Sequence, residues 1–441
     1  MLSAEENELL TRVGPGTPMG ELMRQYWLPV LLSEELPERD GRPQRVRLLC
    51  EDLIAFRDSE GDVGLLANNC PHRGASLFFG RNEEAGLRCV YHGWKFDVGG
   101  RCVDMPNEPP ESNFKDKVHA TAYPCRERNG IVWTYMGPRS EPPALPEYEF
   151  ATVPASHRTV MPFVRECNFL QALEGDIDSA HSSFLHSVLQ KQDINNLGTG
   201  LKHVDRHPRF EVLDTDFGVT IAARRTPEDE SQYYWRLTQF LFPFMTYFPP
   251  TGEQMETVPG HIWIPIDDAT TLVWTLRWHP SRDVRTENPN SQTLGRRPAG
   301  GAFEGPEEYR PVSTGAAGRW RWVANASNDY LLDYEAQKTR RFSGVPTIPL
   351  QDQAMTESMG TVMDRTAEHL GSTDAGIIRV RQALAKAVRA LQEQGATPPG
   401  VDAPEVFRIR SASGLLPRES GWIAGTSDWV RARPGAPVMS A

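Results

Sequence analysis

The chain has 441 residues and a formal net charge of −11, with 39% hydrophobic and 24% charged residues. This length exceeds what one hydrophobic core usually supports, so two domains are expected, and the negative charge argues against a nucleic-acid partner, whose phosphates require basic patches. No window reaches the roughly 18 consecutive apolar residues of a membrane span, and the N-terminus is acidic where a secretion signal is basic, which predicts a cytoplasmic protein.

The first third of the chain has the pattern of short β-strands. A helix candidate at the N-terminus is followed by Thr17, which is suited to cap a helix that begins at Pro18. From residue 46 to about residue 136, short apolar runs are separated by turns, such as those at residues 58–62 and 98–101. This region is therefore predicted to be an all-β domain.

Two short motifs within this region combine cysteine with histidine. Cys70 and His72 form a C-x-H pair, and Cys89 and His92 form a C-x-x-H pair. Zinc also binds two cysteines and two histidines, but finger-like zinc sites pair cysteine with cysteine and histidine with histidine locally. Here each loop offers one of each, which is the ligand pattern of a Rieske 2Fe–2S cluster, with thiolates on one iron and imidazoles on the other.

The sequences Cys-Pro-His-Arg-Gly at residues 70–74 and Cys-Val-Tyr-His-Gly-Trp at residues 89–94 resemble the cluster motif of the Rieske oxygenases. Respiratory Rieske proteins carry an additional cysteine in each loop to form a disulfide, and this chain has none there. The resemblance therefore implies a low-potential cluster of the oxygenase type. The remaining cysteines are expected to be packing residues: Cys50, Cys102, Cys125 and Cys167.

A proline-rich stretch at residues 138–154 marks the expected domain junction. We therefore predict two domains, residues 1–150 with an N-terminal arm and the Rieske cluster, and residues 151–441 with the catalytic site. The second domain is expected to pack helices on an antiparallel sheet, so that the chain as a whole is of the α+β class.

The segment 168–186 places two aspartates and two histidines in a largely apolar run of helical character. On a helix, Asp178 and His181 share a face, whereas His181 and His186 diverge by roughly 140°. Both imidazoles reach one metal ion only if the helix ends, bends or bulges between them; the alternative is a helix with solvated polar positions.

The Rieske oxygenases have a similar helix, and the match implies that His181 and His186 bind a mononuclear iron and that Asp178 is the bridging carboxylate. Many members have Asn where this chain has Gly175, a departure that leaves the ligands untouched.

Residues 201–280 return to strand character and predict an antiparallel sheet that packs against the metal-binding helix. Hairpins are expected at residues 210–223, 233–241 and 261–278. The aromatic segment 240–250 contains no basic residue and is expected to line an apolar ring pocket. Residues 281–319 are polar and rich in Gly and Pro, and they predict a long loop or lid.

The third iron ligand is expected in the segment 348–360. Asp352 opens a predicted helix there, where its carboxylate also suits the helix N-terminus. The match to the Rieske oxygenases implies that Asp352 is the ligand; Glu357 and Asp364 are the rival ligands, and the alternative for Asp352 is a capping role alone. A further amphipathic helix is predicted at residues 373–394, with an apolar stripe for packing and Gly395 at its end.

Two imidazoles and a carboxylate on one face of Fe(II) form the facial triad of non-haem iron oxygenases, which leaves positions for O2 beside a substrate. The chain has neither a G-x-G-x-x-G motif after a strand nor a plant-type C-x₄-C-x₂-C run. A separate NADH-dependent reductase, with flavin and a ferredoxin-type cluster, is therefore expected to supply the electrons. In the family the bridging carboxylate, here Asp178, also meets His92 of the partner subunit, which implies a homotrimer or a stacked pair of trimers.

The likeness to the phthalate 4,5-dioxygenase branch extends over nearly the whole chain, including the segments 14–23, 261–268 and 351–360. It implies a terminal oxygenase that cis-dihydroxylates an aromatic carboxylic acid such as phthalate or a relative. Two alternatives stay open: a monooxygenase that attacks an aryl ether or removes an O-methyl group, and a Rieske electron carrier whose C-terminal part serves binding or assembly. A substrate carboxylate favours an arginine fork, and the candidates are Arg206, Arg209, Arg225, Arg236 and Arg277.

Overall fold

The computed structural model describes residues 2–190, 197–250, 257–284 and 308–433. The chain divides into two compact units, each built from separated stretches of sequence. The smaller unit comprises Val13–Leu145 and Val312–Arg319, and the larger unit comprises Met1–Arg12, Pro146–Pro311 and Trp320–Ala441. The division into domains at residues 150 and 151 stays a prediction.

The larger unit begins with helix α1 (Ala4–Thr11), and the smaller unit begins with helix α2 (Pro18–Arg24). Thr17 caps α2 as predicted, because its hydroxyl accepts a hydrogen bond from the Gly20 amide at 3.3 Å. Proline suits the first helical position because it has no N–H, and an N–H at that position would have no partner within the helix.

Apart from α2 and three short 3₁₀ turns, the regular structure described in the smaller unit consists of short antiparallel strands, which confirms the all-β prediction. The strands pair in three sheets, with the orders β1-β10-β9, β2-β3-β4 and β5-β6-β7-β8. Their bounds are β1 (Trp27–Leu32), β2 (Gln44–Leu48), β3 (Glu51–Arg57), β4 (Val63–Ala67), β5 (Arg81–Asn82), β6 (Leu87–Arg88), β7 (Lys95–Phe96), β8 (Cys102–Asp104), β9 (Cys125–Arg128) and β10 (Ile131–Tyr135).

The core of the smaller unit contains both motif cysteines. Cys70 and Cys89 are buried in one cluster with Phe56, Leu77, Trp94 and other apolar side chains. Cys102 belongs to the same core, and the described cysteines form no disulfide. The two thiols are therefore held in an apolar, rigid surrounding.

The larger unit is built on one antiparallel sheet of eight strands, as predicted for a helix-on-sheet domain. The strand order is β11-β17-β16-β15-β14-β13-β12, with β18 paired to β14. The bounds are β11 (Arg158–Arg165), β12 (Arg209–Thr215), β13 (Gly218–Arg225), β14 (Gln232–Leu241), β15 (Met245–Tyr247), β16 (Val258–Asp267), β17 (Thr270–Trp278) and β18 (Ala412–Pro417).

Two of the three predicted hairpins form in this sheet. Strands β12 and β13 pair as one hairpin, and β16 and β17 pair as another that turns at residues 268 and 269. The prediction of a hairpin at residues 233–241 is wrong, because this stretch has no turn residues and runs as the single strand β14. The aromatic segment 240–250 is not one strand either: β14 ends at Leu241 and β15 returns antiparallel to it.

The strand register determines which side chains share the face of the sheet that the helices cover. Paired residues of adjacent strands point to the same face, and the pairs Phe240–Thr246, Thr246–His261 and His261–Thr275 define this face across four strands. By alternation along each strand, the face also carries Arg165, Arg225 and Arg236. It therefore combines aromatic side chains with several positive charges.

Six helices complete the described part of the larger unit: α3 (Phe169–Ile177), α4 (Leu197–Val204), α5 (Tyr334–Thr339), α6 (Ile348–Ser358), α7 (Ala375–Gln394) and α8 (Trp422–Thr426). Helix α7 confirms the predicted amphipathic helix and ends at Gly395, which has a left-handed φ of 62°. Buried ion pairs join α3 to α7, since Glu174 of α3 binds Arg381 of α7.

Among the described helices, none combines the length and apolar composition needed to cross a membrane. Of the predicted loop at residues 281–319, the stretch 285–307 lies outside the described residues.

Candidate metal centres and substrate site

The two cysteine loops of the smaller unit have the same backbone conformation. In each loop the cysteine amide donates to the carbonyl five residues later at 2.8 Å, and the cysteine carbonyl accepts from the glycine four residues later at 2.9 Å. Those glycines, Gly74 and Gly93, have φ of 76° and 82°, a conformation that favours glycine. Each loop thereby buries its cysteine and turns its histidine, His72 or His92, toward the loop rim.

The predicted cluster ligands form two adjacent pairs, the imidazoles of His72 and His92 and the thiols of Cys70 and Cys89. The ring centroids of His72 and His92 are 4.5 Å apart, and Trp94 stacks on His72 at 4.3 Å. Burial raises the pKa of the Cys70 thiol to about 11, and the adjacent Cys89 adds to this effect. Two buried, adjacent thiols and two adjacent imidazoles are the donor set of a metal centre with sulfur on one side and nitrogen on the other.

The second histidine pair lies in turns that follow helix α3. The helix ends at Ile177, and Asp178 is its C-cap. The carboxylate of Asp178 accepts the amides of Ala180 at 2.7 Å and His181 at 3.3 Å, so it replaces the hydrogen bonds that a longer helix would supply. The chain then makes a 3₁₀ turn, His181–Ser183. The helix ends before His181, whereas the sequence pattern placed both Asp178 and His181 on it.

The predicted iron ligands converge at this turn. Nε2 of His181 is 3.0 Å from Nε2 of His186, and Oδ1 of Asp352 is 3.2 Å from His186 Nε2 and 3.7 Å from His181 Nε2. In the described part of the chain, these are the only three His, Cys, Asp or Glu side chains whose donor atoms all lie within 4.8 Å of one another, as the ligands of a single ion would. Two imidazoles and one carboxylate, all from one side, fit a facial triad.

Burial and the neighbouring imidazoles act in opposite directions on the pKa of Asp352. Burial alone would raise the pKa of this carboxyl, but the neighbouring His186 and His181 outweigh it and hold the pKa below its usual value. Buried Arg165 on the sheet face adds to the effect, and no sequence pattern had singled it out.

Helix α6 supplies Asp352 from its second turn. Its N-cap is Thr347 and its first residue is Ile348, so the expectation that Asp352 opens the helix is wrong, and the alternative of a capping role alone is excluded. The rival ligands are engaged elsewhere. The carboxylate of Glu357 accepts the Tyr330 hydroxyl at 2.7 Å and the Glu166 amide at 2.8 Å. Asp364 is exposed and binds its neighbour Thr366.

Each histidine of the pair has a partner behind its ring. Nδ1 of His181 lies 3.4 Å from Oδ2 of Asp178. Nδ1 of His186 lies 2.7 Å from Oε1 of the buried Gln351, a residue that the sequence patterns did not identify. The only sequence signal for Gln351 is its position next to Asp352. Such partners orient metal-binding imidazoles.

A group of positive charges lies close to the triad. Arg225 is fully buried and Arg236 is 6% exposed, and in the described residues neither has a carboxylate within ion-pair distance. Nη1 of both guanidinium groups and Nε of Arg236 have no hydrogen-bond partner there. Lys202 of α4 joins them: burial, followed by the charges of Arg236 and Arg225, lowers its pKa well below the usual value, and Asp352 acts in the opposite direction. A buried cationic group of this kind is costly without an anion.

The five arginines proposed for a substrate carboxylate thus fall into two sets. Arg225 and Arg236 belong to the buried cationic group, and burial lowers the pKa of Arg225 to about 10. Arg225 also contacts the segment between Asp178 and His181, since its Nη2 donates to the Ser179 carbonyl at 3.0 Å. The other three are outside this group: Arg206 and Arg209 are exposed, and Arg277 is half-buried on β17.

A second polar network ties α3 to the sheet. The carboxylate of Asp176 accepts hydrogen bonds from the Thr246 hydroxyl at 2.6 Å and from Nδ1 of His261 at 2.7 Å. The ring of His261 packs between Phe248 and Trp263, with centroid distances of 5.1 and 5.0 Å. This network fixes the end of α3 just before Asp178.

The Rieske [2Fe-2S] domain family matches residues 26–124, and the LigXa C-terminal domain-like family matches residues 134–435. The chain is 43% identical to the oxygenase subunit of 3-chlorobenzoate-3,4-dioxygenase from Comamonas testosteroni, over 96% of this chain and 97% of the relative. It is 38% identical to the oxygenase subunit of phthalate 4,5-dioxygenase from Pseudomonas putida, over 100% and 98%. Among solved structures, dicamba monooxygenase bound to dicamba has the same fold, with a TM-score of 0.57 at 18% identity over 84% of this chain and 98% of that chain.

Proposed function

Because the chain belongs to the Rieske non-haem iron oxygenases, we propose that its substrate is an aromatic carboxylic acid whose ring it cis-dihydroxylates. The protein is the terminal oxygenase component, which carries a Rieske 2Fe–2S cluster and a mononuclear iron and receives electrons from a separate reductase. We further propose that this reductase contains a flavin and a ferredoxin-type cluster and takes its electrons from NADH.

The residues proposed to hold the metals are Cys70, His72, Cys89 and His92 for the cluster, and His181, His186 and Asp352 for the iron. When bound, these centres supply stored electrons and a site for O2 activation. The chain contributes the surroundings. The buried core keeps water from the two thiols, and Asp178 and Gln351 hold the imidazole rings in place.

The buried cationic group carries the proposal of a carboxylate substrate. Lys202 lies near Asp352, and Arg225 and Arg236 lie near Lys202. The two arginines have no carboxylate within ion-pair distance in the described residues. Burying a guanidinium that lacks a counter-ion costs several kcal/mol, in the range of roughly 3–5. A substrate carboxylate would offset this cost by accepting the free N–H groups of Arg236, and aromatic side chains on the same sheet face would contact its ring.

The function is tested by product analysis with the iron-loaded protein, a compatible reductase and NADH. The panel should contain phthalates, chlorobenzoates, phenoxybenzoates and methoxybenzoates, each beside its primary amide. We expect cis-diols from one or more of the acids and much slower turnover of the amides. Phenols or demethylated products in place of diols would favour the monooxygenase alternative, and equal rates for acids and amides would contradict the proposed carboxylate recognition.

Replacement of Arg236 by glutamine tests the carboxylate contact directly. We expect kcat/KM for the acid to fall about 10- to 100-fold, since a charge-assisted hydrogen bond contributes about 1.5–3 kcal/mol. The rate with the amide analogue should change little. Steady-state kinetics with both compounds, together with iron analysis and the visible spectrum, measure this.

The matched control for Arg236 is Arg209→Gln, which removes an exposed arginine from the neighbouring part of the same sheet. This variant should keep the wild-type preference for the acid. If Arg236→Gln retained that preference, or if Arg209→Gln lost it equally, the assignment of Arg236 would be wrong.

We also propose that electrons reach the iron from the cluster of a partner subunit by way of Asp178, in a trimer or a stacked pair of trimers. The side chain of Asp178 is 21% exposed although it backs His181. Exposed apolar side chains flank both ligand sets: Phe184 and Phe342 near the histidine turn, and Val90 and Tyr91 in the second cluster loop. Exposed apolar residues beside functional sites are typical of subunit contacts.

Asp178→Asn is expected to keep both metals and to slow the re-oxidation of the reduced cluster by O2 and substrate about 10- to 100-fold, as is usual for loss of a partner behind a metal-bound imidazole. Rapid mixing with detection of the cluster absorbance measures the rate. Asp364→Asn, which alters an exposed aspartate remote from the triad, is the control. A normal rate in Asp178→Asn would refute the bridging role, and full activity of a stable monomer would refute the path between subunits.

A further inference from the structure

The side-chain amide of Gln351 lies between two hydrogen-bond partners that allow only one orientation of its oxygen and its NH2 group. It is fully buried in the first turn of α6, with one end of the amide 2.9 Å from the Val345 carbonyl and the other 2.7 Å from Nδ1 of His186. A carbonyl only accepts, so the NH2 group must face Val345 and the amide oxygen must face His186.

The fixed amide oxygen determines which nitrogen of His186 carries the proton. An oxygen 2.7 Å from Nδ1 requires a proton on Nδ1, because two acceptors at that distance would repel each other. The lone pair of the neutral ring is then on Nε2, which is the atom that lies 3.0 Å from His181 Nε2 and 3.2 Å from Asp352 Oδ1.

We propose that Gln351 is a positioning residue that holds His186 in the Nδ1-protonated tautomer and so prepares Nε2 for the iron. This inference rests on the proposed iron site and adds to it a residue with a defined task. Gln351 directly precedes Asp352 on α6. Two consecutive residues of this helix therefore provide the hydrogen-bond partner of one proposed ligand, His186, and another proposed ligand, Asp352.

The two histidines are supported by chemically different groups. His181 is backed by the carboxylate of Asp178, whereas His186 is backed by a neutral amide. A neutral acceptor orients the ring without adding another negative charge beside the buried Asp352. The amide therefore serves orientation alone, and its loss should be repaired by any side chain that places an acceptor at the same point.

Titration of the iron-depleted protein with Fe(II), under anaerobic conditions and with the cluster intact, tests the role of Gln351. Gln351→Met keeps the approximate side-chain volume but removes the acceptor, and we expect the Fe(II) dissociation constant to rise about 10- to 100-fold. Gln351→Glu restores the acceptor for His186 but loses the donor to the Val345 carbonyl, so its affinity should lie between those of Gln351→Met and the wild type. The visible spectrum of the cluster should be the same in all variants.

The matched control is Gln353→Met, which alters another buried glutamine of α6, whose amide oxygen has no hydrogen-bond partner in the described residues. It should leave the affinity unchanged. If Gln351→Met fails to fold, Gln351→Asn withdraws the oxygen from the ring and is expected to show the same loss.

A second readout does not depend on metal at all. In the iron-depleted protein with ring-¹⁵N-labelled histidine, the resonances of His186, assigned by their absence in His186→Ala, should show a protonated Nδ1 in the wild type and a changed tautomer in Gln351→Met. Unchanged Fe(II) affinity and an unchanged tautomer in Gln351→Met would overturn the role of Gln351, as would an equal loss in Gln353→Met. Failure of the wild type itself to bind Fe(II) would instead refute the iron site of the proposed function.

Discussion

His181→Ala is expected to remove one iron per chain and to abolish oxygenation while the visible spectrum of the Rieske cluster stays intact. His181 Nε2 is one of the three donor atoms of the triad, and His186 and Asp352 alone would leave two, fewer than a facial triad requires. The cluster ligands belong to a separate compact unit, so their environment should not change. Iron analysis, visible absorption and product formation measure the three effects.

The control for this variant is His369→Ala, which removes an exposed histidine that is not part of the triad. It should retain full iron content and full activity. Loss of the cluster spectrum in His181→Ala would contradict the assignment of the two metal centres to separate parts of the chain. If His181→Ala changed neither the iron content nor the ability of the protein to accept electrons, the Rieske electron carrier would be favoured over the oxygenase.

Glu174→Gln is expected to lower the free energy of unfolding of the larger unit by about 3–5 kcal/mol, the usual cost of breaking a buried ion pair on one side. Glu174 lies on α3 and binds Nη2 of Arg365 at 3.1 Å and Nε of Arg381 at 2.6 Å. All three side chains are buried, and in the described residues Arg365 has no second carboxylate within ion-pair distance. Denaturation followed by circular dichroism, with the cluster absorbance as an independent probe, measures the loss.

An exposed ion pair of the same unit provides the control. Asp214→Asn breaks the contact of Asp214 with Arg379, whose side chains are 55% and 41% exposed, and should cost less than about 1 kcal/mol. Equal losses in the two variants would show that burial of the Glu174 pair has no special effect.

The difference between wild type and Glu174→Gln should also depend on pH. Burial alone would raise the pKa of Glu174, but the charges of Arg365 and Arg381 outweigh it, and the folded pKa lies below the usual value. A carboxyl with a lowered folded pKa contributes its stability above the pKa of the unfolded chain and loses it as the pH falls through the folded pKa. The difference should therefore be constant near neutral pH and shrink in acid.

The cluster loops show how far a local pattern determines structure. Each loop is closed by hydrogen bonds that span at most five residues and by a glycine with positive φ, so the motif alone determines how each loop presents its own cysteine and histidine. The pairing of the two loops depends on the tertiary structure. The helix at residues 373–394 was predictable for a similar reason, because its apolar period and the following Gly395 are local.

The histidine turn was predictable only in part. The spacing of His181 and His186 predicted a break between them, whereas the helix ends earlier, at Asp178, whose carboxylate binds the amides that follow. The sequence pattern did not show that the helix ends before His181. The Asp178 carboxylate competes with backbone carbonyls for the amides that follow, and whether it succeeds depends on the conformation of its side chain.

The sequence by itself determined the two metal-binding motifs, the α+β class and the membership of the family, because each depends on residues close together or on likeness along the whole chain. Only the tertiary structure decided which distant groups meet these motifs. Asp352 and Gln351 reach the histidines from a helix far along the chain, and burial separates Arg225 and Arg236 from the exposed arginines. The physical reason is that strand register and helix packing are long-range properties, so the charge, burial and partners of a side chain are set by neighbours that its own segment does not contain.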